Sequence, residues 1–153
     1  MGCGASTSAA PTSTTAPKAF AGSPFAWLST QARPMNKTLN NDQSTVLHDT
    51  KADSKADASG YFSHLSAACR RFQNDAIKAK ELPAAPSTVL ESDWEAMATT
   101  TEAYAAACLT LARTHSQRDL SRWNVALQSM DSANATLNSE VASVRTAADA
   151  NGE

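Results

Sequence analysis

No stretch of this chain approaches the roughly 18 consecutive apolar residues that a membrane-spanning helix needs. No run of like charge exceeds two residues, and the net charge is −2 over 153 residues. A nucleic-acid binder would normally carry a basic face, so no nucleic-acid partner is expected. A glycine-rich phosphate loop, a Gly-x-Ser-x-Gly elbow and a Cys-x-x-Cys pair are all missing, and with them the chemistries those spacings serve. The three histidines, His48, His64 and His115, lie far apart without ligand-like spacing, so no metal or other cofactor is expected. Acidic residues are scattered singly along the chain, and no pair suggests acid/base work. These absences together predict a protein that is not an enzyme.

Glycine is scarce at five residues, whereas alanine reaches 31, serine 18 and threonine 16. That balance suits helices. Residues 4–23 are small, Ser/Thr-rich and broken by Pro11 and Pro17, and read as a disordered tether. Ser23 followed by Pro24 is a helix start, so a short helix over 24–32 would present Phe25, Trp27 and Leu28. Those side chains would either pack on the folded domain or touch a membrane interface. Residues 34–56 are polar and read as irregular, with Val46 and Leu47 their one apolar pair.

From Asp57 the pattern becomes periodic. Phe62, Leu65, Cys69, Phe72, Ala76 and Ala79 recur at spacings of three and four, the apolar stripe of an amphipathic helix that ends at Pro83. A second stripe runs through Trp94, Met97, Thr101, Tyr104, Cys108 and Leu111. A third runs through Leu120, Trp123, Leu127, Met130, Asn134, Leu137, Val141 and Val144, after a cap at Ser116 with Asp119 in the first turn. The expected architecture is all-α: residues 1–56 a lipid-anchored tether, and residues 57–149 an antiparallel three-helix bundle. Asn134 interrupts the third stripe, where a buried amide could fix helix register or line a small cavity.

Cysteine is present three times, an odd number that divides most simply into one plus two. Cys69 and Cys108 both fall on apolar stripes, and residues equidistant from a hairpin turn face each other. Starting the second helix at Asp93, capped by Ser92, brings the two into register, whereas a start at Val89 offsets them by about 9 Å at 1.5 Å per residue. The pair is therefore expected to form a disulfide; the alternative is two unlinked buried thiols behaving as small hydrophobes.

Cys3 stands alone in Met1-Gly2-Cys3-Gly4. Gly2-Cys3 could close a bacterial lipobox, with diacylglycerol on the Cys3 thiol and the domain held off the outer face. An exported chain would then be numbered from at or just before its mature end. Alternatively, Met-Gly-x-x-x-Ser matches N-myristoylation on Gly2, with Cys3 a palmitoylated second anchor on the cytosolic face. A structural disulfide is disfavoured in the cytosol, so the cysteine pairing favours the exported lipoprotein.

The segment from Ala68-Cys69 through Pro83, Pro86 and Trp94 to Ala107-Cys108 resembles small secreted or lipid-anchored helical proteins of actinobacteria. The resemblance covers residues 65–148 and implies an extracytoplasmic, disulfide-linked bundle without chemistry of its own. The expected role is a binding or structural module of the cell envelope, anchored in the cell membrane. Its partner would be an envelope protein or a small apolar ligand held in a pocket of Trp94, Tyr104, Trp123, Met130 and Asn134.

Overall fold

The computed structural model describes the backbone of residues 17–51, 58–116 and 119–151, and their side chains apart from 58–62 and 115–116. The lipidation candidates Gly2 and Cys3 lie outside the described residues.

All described elements are helical, and a lone bridge between Ala19 and Ala84 is the only β pairing among them. The order is α1 (Pro24–Trp27), a π-helical turn (Leu28–Ala32), α2 (Arg33–Lys51), α3 (Ala58–Lys80), α4 (Thr88–Ser116) and α5 (Leu120–Asn151). Four long helices thus replace the expected three. Successive helices pack against each other, α2 on α3, α3 on α4 and α4 on α5. The first and last of the four meet far more loosely, and that seam matters below.

The added helix is α2, where a polar, irregular segment is expected from the sequence. Its core side is a stripe of Leu28, Ala32, Met35, Leu39, Asp42 and Val46, at alternating spacings of four and three through the π turn. Two features disguise it. Asp42 puts a carboxylate in the stripe, and Pro34 lies inside the helical run. A proline has no N–H to donate, and its ring clashes with the carbonyl four residues back. The π turn lies immediately N-terminal to that point, with Arg33 N–H donating to Leu28 O, five residues back. Widening the turn there lets the helix pass Pro34 without breaking.

The N-terminal entry follows expectation locally. Ser23 Oγ accepts from Ala26 N–H at 3.2 Å, and Pro24 occupies the first turn. Trp27 and Leu28 are buried, whereas Phe25 is 53% exposed. Residues preceding the cap are not all tether, because Phe20 N–H donates to Ala84 O and Ala84 N–H to Lys18 O, at 3.0 and 3.1 Å.

Two helix starts differ from expectation. Helix α4 begins at Thr88, with Ser87 O accepting from Glu91 N–H at 2.9 Å, and not at Asp93. Residues at equal distances from a turn face each other only where the chain reverses at once. Residues 81–87 instead climb along the bundle, so α4 overhangs the end of α3 by about 13 Å at 1.5 Å per residue. Trp27, Leu90 and Trp94 fill that overhang. Helix α5 is capped by Asp119, whose Oδ1 accepts from Arg122 N–H at 3.0 Å, while Ser116 is the last residue of α4.

The first two stripes are buried at every described position, from Leu65 to Ala79 and from Trp94 to Leu111. Phe62 belongs to the first stripe but its side chain is outside the described ones. The third stripe is looser: Leu120 is exposed, while Ala126 and Ala147 are buried. Within the core, Phe72 and Tyr104 meet edge to face with ring centroids 5.6 Å apart. The Tyr104 hydroxyl is buried without a hydrogen-bond partner. Burial, with a smaller contribution from Asp131, pushes its pKa up to about 12. An orphaned buried hydroxyl costs about 1–3 kcal/mol, so Tyr104→Phe should raise stability by about 1 kcal/mol in urea unfolding. A loss of stability would show that the hydroxyl has a partner in solution.

Candidate functional site

The residues proposed as a pocket from the sequence do not converge. Trp94 lines a hollow at one end of the bundle, whereas Tyr104 and Met130 are core and Trp123 is half-buried against it. Asn134 is half-buried, and its Oδ1 accepts from Gln43 Nε2 at 2.8 Å, tying α5 to α2.

The hollow sits on the loose seam between α2 and α5. Leu28, Ala32, Arg33 and Asn36 form one wall, and Val141, Val144, Arg145, Ala148 and Asp149 the other. Trp94 and Met97 of α4 form the floor, in a volume of about 190 Å³. The π turn therefore builds part of one wall. A much smaller void of about 10 Å³ continues inward and shares Asn36, Met97 and Val141 with the first. It reaches Leu137 and Gln43, where the Gln43–Asn134 hydrogen bond crosses the seam. Trp94 is locked in the floor by two contacts. Its Nε1 donates to Ala79 O at 2.9 Å, and Trp27 meets it edge-on with centroids 5.4 Å apart.

A second constellation was invisible in the sequence. Asp42 of α2 and Asp75 of α3 lie 33 residues apart (75 − 42), yet their carboxyls come within hydrogen-bonding reach. Arg71 Nε donates to Asp42 Oδ1 and Lys78 Nζ to Asp75 Oδ1, each at 2.6 Å. Burial raises the Asp42 carboxyl above its usual range, Arg71 opposes that, and Asp75 adds to it. Partial burial would raise Asp75 too, but its bonds from Lys78 and Asp42 outweigh this and hold it low. Asp42 Oδ2 is buried without a hydrogen-bond partner, and a single proton shared between the Asp42 and Asp75 carboxyls would relieve the repulsion between them. The pair corrects the expectation that acidic residues stand singly.

The two carboxyls act on stability in opposite directions. A raised group contributes stability that is lost as pH climbs through its folded value; a lowered one contributes stability lost as pH falls through its own. The pair is therefore best satisfied with one proton, in the acidic window between the two values, which straddle 3.8. Asp42→Asn keeps an acceptor for Arg71 and a permanent donor for Asp75. It should be at least as stable as the wild type at pH 7 and show a flatter pH profile. Asp42→Ala should lose about 1–3 kcal/mol, since both partners are stranded. Equal loss in both variants by urea unfolding would contradict the shared proton.

The rest of the predicted chemistry is dispersed. His48 pairs with its neighbour Asp49 at 3.3 Å, and His64 is exposed. The His115 side chain lies outside the described ones. Among the described residues, no three His, Cys, Asp or Glu side chains are grouped to hold a metal ion, and no helix is long and apolar enough to cross a membrane.

Cys69 and Cys108 are joined as expected, with Cα atoms 5.7 Å apart and a sequence separation of 39. Both are fully buried where α3 crosses α4. The chain matches no family model, no curated protein and no solved structure.

Proposed function

We propose that the protein is an exported lipoprotein, held at the extracytoplasmic face of the cell membrane through Cys3, whose helical bundle is a non-enzymatic binding module of the envelope. The buried Cys69–Cys108 bond carries this reading. Structural disulfides persist in oxidising compartments and are rare in the cytosol. The competing adaptor, anchored on the cytosolic face through acylated Gly2 and Cys3, would need free thiols at 69 and 108. The built hollow beside Trp94 supports binding as the activity.

The anchor is tested in the native host. Cys3→Ser should move the protein from the membrane fraction to the soluble one. Protease added outside intact cells, with the outer barrier permeabilised where there is one, should digest the wild type. Protection from protease until the cytoplasm is opened would overturn the reading.

A further inference from the structure

The seam between α2 and α5 has the construction of a site for one particular chemistry. Its floor and the adjoining part of one wall are apolar and buried: Trp94, Met97, Leu28 and Ala32 are each at most 4% exposed. Its mouth carries two cations, Arg33 and Arg145, one from each wall. Both are exposed, and neither makes an ion pair or hydrogen bond within the described residues. Arg71, by contrast, is engaged across a helix seam, with Asp42. Asp149 shares the rim, so the mouth carries a net single positive charge. That balance suits a monoanion and opposes a dianion such as a phosphate ester.

We propose that this seam binds an amphipathic monocarboxylate, its carboxylate at Arg33 and Arg145 and its aliphatic chain running inward over Trp94 and Met97. Arginine suits the head because its planar fork matches a carboxylate. The volume suits the tail: a cavity of about 150 Å³ holds benzene, and this one offers about 190 Å³ before any relaxation. The separate inner void of about 10 Å³ shares Asn36, Met97 and Val141 with the hollow, so a tail that goes deeper toward Leu137 needs α2 and α5 to part, as far as the Gln43–Asn134 hydrogen bond allows. From Arg33 to Gln43 is ten residues (43 − 33), or about 15 Å of helix, which fits a medium-length chain. Because α2 and α5 touch so little along this line, they can part slightly without disturbing the tight α3–α4 and α4–α5 contacts. The wider hollows at Ser63–Arg113 and Ala106–Ser129 have no such enclosed floor, being lined largely by exposed residues.

The inference is independent of how the chain is anchored, since binding is read on the purified full chain whatever its location in the cell. Sodium decanoate is titrated into the protein by calorimetry, with the summed fluorescence of Trp27, Trp94 and Trp123 as a second readout, and decanol is the uncharged comparator. Decanoate should bind saturably with one site, and at least about tenfold more tightly than decanol, a difference of about 1.4 kcal/mol. Arg33→Gln combined with Arg145→Gln should bring decanoate down to the decanol level and leave decanol unchanged. Ala148→Trp, which fills the hollow, should abolish binding of both. If Ala148→Trp fails to fold, the exposed arginine pair still decides. Absence of saturable decanoate binding, equal affinity for decanoate and decanol, or an arginine double variant that binds decanoate like wild type would each overturn the proposal.

Discussion

Replacing Cys69 and Cys108 together with alanine should lower the unfolding free energy by roughly 4 kcal/mol. The bond closes 39 residues of chain, and tethering such a loop in the unfolded state removes much of its conformational freedom. Helices α3 and α4 contribute the best-buried stripes of the molecule, so this is the pair on which α2 and α5 are laid. The core they share is light, with alanine at positions 68, 76, 79, 98, 105 and 112. Few large apolar side chains are available to compensate for a lost staple. For a chain of this size each kcal/mol is worth about 2–4 °C, so the melting temperature should fall by roughly 8–16 °C. Reduction of the wild type should produce a comparable fall, and should add nothing to the double variant. A shift below about 2 °C would mean that the helices hold their register without the bond.

Trp27→Ala is the second large effect, with an expected loss of about 3–5 kcal/mol. Trp27 is fully buried although it lies near the beginning of the described chain. It is edge-on to Trp94, and its Nε1 donates to Pro83 O at 2.6 Å. One side chain thus joins α1 to the α3–α4 turn and to the overhanging end of α4. Truncation leaves a large cavity and an unpaired carbonyl at once. It also removes the support under Trp94, so binding in the adjoining hollow should weaken together with stability. Trp27→Phe restores most of the volume without the N–H, and should recover more than half of the loss. If Trp27→Ala melts like the wild type, α1 is not part of the folded unit.

Much of this was legible in the residues. The stripes of α3 and α4 can be read by spacing alone, because their inward positions are almost uniformly apolar and every described one is buried. The Cys69–Cys108 pairing follows from the same stripes, although the start of α4 at Asp93 expected with it does not hold. Equal distances from a turn imply contact only when the turn is tight, and the seven residues 81–87 rise along the bundle.

Helix α2 was missed for a physical reason of the opposite kind. Its stripe is regular in position but mixed in chemistry, since Asp42 replaces an apolar residue and Pro34 signals a break. Asp42 becomes tolerable only when Arg71 and Asp75 of another helix stand beside it, and that proximity is tertiary. The same holds for the hollow. Trp94 was named from its residue type, but Arg33, Arg145 and the π turn join it only through the meeting of three helices. Tyr104, Trp123 and Met130 had the right chemistry for a pocket and are used as packing.

Intact mass measured on protein taken from its native membranes, alkylated with and without prior reduction, tests the central claim most directly. The account predicts a diacylglyceryl adduct on Cys3, with Cys69 and Cys108 unreactive until a reductant is added. A myristoyl group on Gly2, with both helical cysteines alkylated without reduction, would contradict it and put the protein on the cytosolic face.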